Sequence, residues 1–282
     1  MKTTPDFAPF YAARAELMMN DPIQAEIDLK KAIQIDREEW RYHKLLANHY
    51  ITRHEYEKAL SIAGSYYQTH QQRYIIGMLY AKTLLLNKRY RECDLLLSKL
   101  NIIPFEGATE GRELYREAKL MLAIQEMKLK NYKKVLQNIN AAKLWPQNLG
   151  AGKPYEEDID IRLEEWMSYL CFIQMKNTIE AEKALQKIIQ FVPQIDNTIR
   201  NFLPANHLVT AWAMKKKNQT KEASDWLDQQ IKKFPENKIL VWCKEVFNNN
   251  QTTLTNYNDA TTRILMHLMD MKEIVKVNQR QE

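Results

Sequence analysis

A spacing of about 34 residues recurs through the first hundred positions and constrains the fold of this chain more than any other feature. Three segments align without gaps and start at equal intervals, at Asn20, His54 and Lys88. A fixed period of this length is typical of solenoids, whose units must stack on their neighbours to bury their apolar faces. The positions that keep the spacing are the small residues Ala25, Ala59 and Cys93, and also Pro22, Tyr56 and Tyr90.

The composition indicates that each unit is helical. Only 6 of the 282 residues are Gly and 9 are Pro, so the chain has few breakers of long helices. Two antiparallel helices can cross closely where small side chains recur and large ones fill the gaps between them. In the second and third units this pattern is carried by Leu46, Ala47 and Tyr50 and by Tyr80, Ala81 and Leu84.

These segments resemble the tetratricopeptide repeat, whose unit is a pair of antiparallel helices of about 34 residues in total. Further units at wider spacing end near Trp145–Pro146, Phe191 and Pro235. The resemblance implies an all-α fold, a right-handed α–α superhelix of about six helix hairpins. We expect one helical repeat array over residues 1–248 and, within the same domain, a linker and capping helix over 249–282. The apolar residues of that last helix are Ile264, Leu265, Leu268, Met271, Ile274 and Val275.

The chain from Phe7 to about Asn248 also resembles the C-terminal array of large bacterial proteins that carry an N-terminal β-sandwich domain of unknown function. The segments DFAPFYAARAELM, LWPQNLGAGKP and LPANHLVTAWAMKKKNQTKEA carry this resemblance. It implies a sugar-related context for the absent domain only. Because the repeats begin at once, we expect a chain cut from a longer protein.

Two stretches interrupt the repeat and are predicted to be loops. Residues 101–112 contain Pro104, Gly107 and Gly111, and residues 144–160 contain two further Pro and two further Gly. Insertions in solenoids map to loops on one face, which is often the functional one. The acidic run within 156–160 is predicted to start the next helix, whose positive end favours carboxylates.

The resemblance implies that the first helix of each unit lines a concave groove. Lys44 and Asn48 match the start of the carboxylate clamp of chaperone-binding members, but Leu79, Glu117 and Met121 do not complete it. A mixed basic and apolar groove remains, suited to a peptide with acidic side chains. Alternatively Met78, Leu85 and Ile124 pack between helices. The predicted groove residues are Arg41, Lys44, Asn48, Met78, Lys82, Leu85, Leu120 and Ile124.

Two other functions are weighed against a binding groove. Helical toroids that act on or bind carbohydrate are also built from helix hairpins, and Glu164 and Glu165 could supply the paired carboxylates that glycoside hydrolysis needs. An RNA-binding repeat would use basic residues. The net charge is +6, but basic excess in 51–144 gives way to acidic excess in 145–200, whereas a nucleic-acid binder should show one basic stripe.

Several motifs of catalytic or metal sites are incomplete. Gly150-Ala-Gly152-Lys153 lacks the spacing and the Ser or Thr of a phosphate-binding loop. The acidic run lacks the central Gly of a calcium loop. His43, His49 and His54 are spaced by six and five, so no pair shares a helix face. Three scattered cysteines suggest free thiols packed as small hydrophobes and no disulfide framework: Cys93, Cys171 and Cys243.

We therefore expect a non-catalytic scaffold for a protein or peptide partner. It should need no cofactor or metal and contact neither nucleic acid nor membrane. The first residues lack a signal peptide's apolar core and cleavage site, so a soluble chain is expected. The cytoplasm and the periplasm remain alternatives, and the partner and the oligomeric state are open.

Overall fold

The structure is a computed structural model, and it describes residues 6–18, 20–105, 107–191, 203–250, 252, 254 and 259–271. Those residues form fourteen α-helices and no strand, which confirms the all-α prediction. Two 3₁₀ turns lie between α8 and α9. The helices are α1 (Ala8–Leu17), α2 (Pro22–Ile35), α3 (Trp40–Thr52), α4 (Tyr56–Thr69), α5 (Tyr74–Leu86), α6 (Tyr90–Leu97), α7 (Glu110–Lys128), α8 (Tyr132–Ala142), α9 (Arg162–Gln174), α10 (Thr178–Gln190), α11 (Asn206–Lys216), α12 (Thr220–Lys233), α13 (Lys238–Phe247) and α14 (Ala260–Met269).

The helix boundaries keep the spacing read from the sequence. The second helices α2, α4 and α6 begin at Pro22, Tyr56 and Tyr90, which are one repeat period apart. The first helices α3 and α5 begin at Trp40 and Tyr74, at the same interval. Within the described residues, successive helices pack as neighbours, α1 on α2, α3 on α4 and α5 on α6. The tetratricopeptide-type solenoid fold is therefore confirmed.

One turn geometry recurs where a first helix ends. In the α5–α6 turn, Lys88 has a φ of 60°, and its N–H donates to the Leu85 carbonyl at 3.0 Å. The next N–H, of Arg89, donates to the Leu84 carbonyl at 2.9 Å, which completes a Schellman turn. The turn keeps its form where the repeat spacing widens. Its left-handed residues are His54, Lys88, Lys130, Lys176, Asn218 and Asn249.

Close contacts divide the chain into two compact units. Unit 1 comprises residues up to Ala118 together with Pro146–Ala151, and unit 2 comprises Lys119–Trp145 with the chain from Gly152 onward. The expected single array over residues 1–248 stays a prediction. The positions of the repeat that hold small residues, such as Ala59 and Cys93, are fully buried in unit 1. The helices cross closely there, so solvent does not reach these side chains.

The two predicted loops meet within unit 1. The Asn148 side chain donates to the carbonyls of Leu97 at 3.0 Å and Leu100 at 2.8 Å. In return the Ile102 N–H donates to the Asn148 carbonyl at 2.8 Å. Gly150 follows with a φ of 69° and lies against Ile102. We call this arrangement of Leu97, Leu100, Ile102, Asn148 and Gly150 the loop clasp.

Two boundary predictions need correction. The first loop ends at Thr109, since Glu110, Gly111 and Arg112 already belong to α7. The acidic run does not start α9, because Glu156–Asp158 form a 3₁₀ turn and the helix begins at Arg162. Of this acidic run, Asp160 contacts the start of α9: its carboxylate accepts a hydrogen bond from the backbone N–H of Arg162 at 3.1 Å.

The last described helix, α14, matches the predicted capping helix in position and apolar face. The Asp259 side chain caps it by accepting the N–H of Thr262 at 2.8 Å. Ile274 and Val275 of the predicted face lie outside the described residues. The role of α14 as a cap stays a prediction. Its buried apolar residues are Ile264, Leu265 and Leu268, with Met271 just beyond its end.

Candidate binding surface

The first helices of unit 1 bring part of the predicted groove together. Lys44 and Asn48 on α3 lie one repeat period before Met78 and Lys82 on α5, so the four occupy two equivalent positions of consecutive units. Helix α3 contacts α5 directly. Equivalent positions on neighbouring first helices lie on the same side of the repeat.

Aromatic rings support the cations of α3. The guanidinium of Arg41 lies 4.9 Å from the Trp40 ring centroid, and the Lys44 ammonium lies 5.9 Å from it. Arg41 also donates to the Glu39 carboxylate at 3.0 Å. Lys44 is exposed and forms no ion pair with any residue that the structure describes. It is therefore a cation available to an acidic ligand, held in place by a cation–π contact.

The α5 part of this surface is less charged. Met78 is half-buried and offers an apolar contact beside the basic groups. The Lys82 ammonium lies 3.9 Å from the Glu110 carboxylate, and both side chains are about half exposed. An ion pair of this length in water is weak, so Lys82 can exchange that carboxylate for one on a ligand.

Three of the predicted groove residues are not on the surface. Leu85 is 5% exposed, Leu120 is 0% exposed and Ile124 is 2% exposed, so none of them can contact a ligand in this structure. Their assignment to a groove was wrong. Because α5 and α7 each bury apolar residues on several sides, repeat register alone could not separate the core positions from the surface positions.

The repeat also identifies surface residues that sequence reasoning missed. Phe7, Phe10 and Arg14 lie one repeat period before Arg41, Lys44 and Asn48. Phe7 and Phe10 are 57% and 43% exposed. Ala8 and Ala12 of α1 pack in one cluster with Tyr42 of α3, so the two first helices are packed together within unit 1.

Arg14 is held rigidly on this surface. Its guanidinium makes two hydrogen bonds to the Asp28 carboxylate, at 2.6 and 2.5 Å, and lies 5.5 Å from the ring centroids of Phe10 and Tyr11. The hydrogen bond from Arg14 lowers the pKa of the buried Asp28. We define the first-helix face as Phe7, Phe10, Arg14, Arg41, Lys44, Asn48, Met78 and Lys82.

The carboxylates proposed for carbohydrate chemistry are enclosed in unit 2. Glu164 and Glu165 are 0% and 4% exposed. Glu165 accepts a hydrogen bond from Lys143 at 2.7 Å, and Lys187 lies 3.5 Å away. Neither glutamate is accessible to a saccharide in this structure, and Glu165 has a structural role in an ion-pair cluster.

A second buried polar cluster of unit 2 surrounds Arg162. Its guanidinium binds Asp160 through two hydrogen bonds, at 2.9 and 2.7 Å, and donates to the Thr210 hydroxyl at 2.9 Å. Burial alone would raise the pKa of Asp160, but the charge of Arg162 and its hydrogen bonds outweigh burial and lower it. Nearby, burial lowers the pKa of His207 to about 3, so this imidazole is neutral.

The described residues contain no group of three or more side chains suited to hold a metal ion. The three cysteines are free and buried, as predicted from their spacing. Burial raises the pKa of the Cys93 and Cys171 thiols to about 12, which makes them unreactive. Within the described part of the chain, no helix is long and apolar enough to cross a membrane.

Comparison with known proteins gives structural similarity only. No protein-family model matches the sequence, and no curated protein matches it. PilF of Pseudomonas aeruginosa shows 15% identity and a TM-score of 0.44, over 86% of this chain and 96% of that one. Cut9–Hcn1 of the APC/C shows 11% identity and a TM-score of 0.44, over 86% and 43%.

A tetratricopeptide repeat protein from Parabacteroides merdae shows 13% identity and a TM-score of 0.36, over 86% of this chain and 99% of that one. Because these TM-scores lie below 0.5, the fold assignment rests on the helix pairing and turns described above. The resemblance to bacterial proteins with an N-terminal β-sandwich stays a prediction.

Proposed function

We propose that this chain is a non-catalytic scaffold and that the first-helix face of unit 1 binds an extended or helical segment of a partner protein. The observation that carries the proposal is a set of cations on successive first helices, two of which lie close to aromatic rings. Arg14 lies over Phe10, Lys44 lies near Trp40, and Lys82 follows on α5 beside Met78.

The apolar and basic residues of the first-helix face determine which kind of ligand it fits. Exposed Phe7 and Phe10 and half-buried Met78 offer apolar area whose burial stabilises a complex. Lys44 and Lys82 attract carboxylates, and charges at such a rim set partner choice and association rate more than total affinity. A segment that combines acidic side chains with aromatic or aliphatic ones fits both properties.

Selection from short random peptides displayed on phage tests the proposal. The enriched peptides should combine Asp or Glu with apolar residues. Their binding, measured by fluorescence anisotropy, should weaken more than tenfold in Lys44→Glu, because that substitution replaces an attraction by a repulsion.

Arg91→Glu is the matched control. Arg91 is exposed at the start of α6, a second helix, where an acidic residue suits the helix end. This variant should bind as the parent protein does. Equal weakening in both variants, or enrichment of peptides without acidic residues, would refute the assignment. Saccharide binding lost on Glu165→Gln would instead favour the carbohydrate alternative.

A further inference from the structure

One edge of unit 2 collects the turns that follow its first helices. The Cys171 thiol of α9 lies 3.4 Å from the carbonyl of Tyr132, the first residue of α8. Lys217, after α11, pairs with Glu182 near the start of α10. The turns after α7, α9 and α11 therefore lie side by side. We call residues 128–134, 174–180 and 215–221 the turn edge.

The turn edge is strongly basic. Its three segments contain nine lysines, one acidic residue, Glu180, and no arginine. Lys128, Lys133 and Lys176 are exposed, and none of them forms an ion pair with a described residue. Acidic residues meet this edge at its margins, where Lys134 lies 3.9 Å from Glu126 and Lys217 pairs with Glu182.

Helix stability does not account for all of these lysines. Lys133 and Lys134 lie in the first turn of α8, which has no acidic residue. The positive end of the helix dipole disfavours cations there. By contrast, the first turns of α10 and α12 carry Glu180 and Glu222. Lys134 lies 3.9 Å from the Glu126 carboxylate. Lys133 has no such pair with a described residue and therefore points to an external anionic partner.

Aliphatic side chains project between the lysines. Leu129 is 74% exposed, Met175 is 47% exposed and Ile179 is 69% exposed. Leu129 and Met175 each precede the left-handed residue of their turn, so they hold equivalent positions at its tip. Lysines interspersed with exposed aliphatic tips are typical of surfaces that adsorb to anionic lipid.

Other anionic partners fit less well. Protein interfaces are enriched in arginine and aromatic residues and depleted in lysine. Single-stranded RNA is bound by stacking on aromatic rings and arginine, and the turn edge has no arginine. Lysine ammonium groups act as point charges that suit the mobile head groups of a bilayer.

We propose that the turn edge of unit 2 binds the surface of an anionic phospholipid membrane, with Leu129 entering the head-group region. The sequence had predicted no membrane contact. The inference is independent of the first-helix face, since no residue is shared between the two surfaces. Adsorption of this kind requires no spanning helix.

Vesicle sedimentation with the full chain tests the proposal. Vesicles of phosphatidylcholine with about 30% phosphatidylserine supply the negative surface potential that attracts lysine. They should bind the protein at about 0.1 M salt and release it at about 0.5 M, because salt screens surface charge. Each lysine near such a surface contributes a roughly fivefold change in partition coefficient. Lys128→Gln/Lys133→Gln should therefore bind about 30-fold more weakly.

Two further variants complete the design. Lys232→Gln/Lys233→Gln removes the same charge from the last turn of α12, at the opposite end of the helices, and should retain nearly all binding. Leu129→Ser keeps every charge and should still weaken binding severalfold, since its side chain no longer enters the lipid.

Three outcomes would overturn the proposal. The first is equal binding to pure phosphatidylcholine and to anionic vesicles. The second is an equal loss of vesicle binding in both double-lysine variants. The third is a protein that does not bind vesicles but binds a fluorescent oligouridine probe in a salt-sensitive way, with that binding lost in Lys128→Gln/Lys133→Gln. That result would assign the edge to RNA.

Discussion

Replacing Gly150 by Ala should break the loop clasp of unit 1. Gly150 has a φ of 69°, a left-handed conformation that costs an L-residue about 1–2 kcal/mol. A Cβ added there would lie 2.9 Å from the Ile102 carbonyl oxygen and 3.0 Å from its Cγ2. Backbone must therefore shift, and overpacking of this kind costs about 1–3 kcal/mol. We expect Gly150→Ala to lower the free energy of unfolding by about 2–5 kcal/mol, the sum of the two costs.

Gly152→Ala is the matched control, two residues along the same loop. A Cβ at Gly152 would meet no atom within 4 Å, and its φ is not in the left-handed region. Ala there restricts the unfolded chain and should leave stability unchanged or raise it by up to about 1 kcal/mol.

The assay is urea unfolding followed by far-ultraviolet circular dichroism, comparing midpoints and slopes of both variants with the parent protein. A loss of less than about 0.5 kcal/mol in Gly150→Ala, which is the range of an ordinary surface substitution, would refute the reasoning. Equal destabilisation of the two variants would also refute it. Gly152 has free space for a side chain, so an equal loss there could not come from the loop clasp.

Three other perturbations test the fold. Lys88→Gly relieves a left-handed φ of 60° and should raise stability by about 0.5–1 kcal/mol in urea unfolding; a loss would contradict the turn assignment. Arg162→Met leaves the buried Asp160 carboxylate without its cation. It should lower the free energy of unfolding by about 3–5 kcal/mol, measured by calorimetry, whereas a loss below about 1 kcal/mol would show that the ion pair is not needed for stability. Because the pKa of His207 is about 3 when folded and near 6.5 when unfolded, the unfolded state binds more protons between those values. Stability should therefore fall as pH drops below about 6.5, by up to about 1.4 kcal/mol per unit, and the fall between pH 7 and pH 5 should be smaller in His207→Gln.

Periodic features could be predicted from the sequence because each repeat supplies the same local information. Pro22, Tyr56 and Tyr90 start their helices as the spacing required. The loop clasp could not be predicted, since Asn148 reaches the carbonyls of Leu97 and Leu100 from a distant part of the chain with no sequence signal.

The candidate site was only partly predictable for a related reason. Repeat register places a residue on a helix but does not say how deeply neighbours cover it. Leu85 and Met78 belong to the same helix, yet Leu85 is buried and Met78 is partly exposed. Conversely, Phe10 could have been identified by stepping back one repeat period from Lys44.

Site-specific photocrosslinking tests the central claim, that the first-helix face of unit 1 is the binding surface. A benzoylphenylalanine at Met78 should crosslink to a partner protein in the source cells, and Lys44→Glu should abolish the product. The same group at Leu95, on a second helix and 55% exposed, should give no such product. Crosslinking at Leu95 equal to or stronger than that at Met78 would contradict the claim, because the more accessible outer position would then be the contact surface.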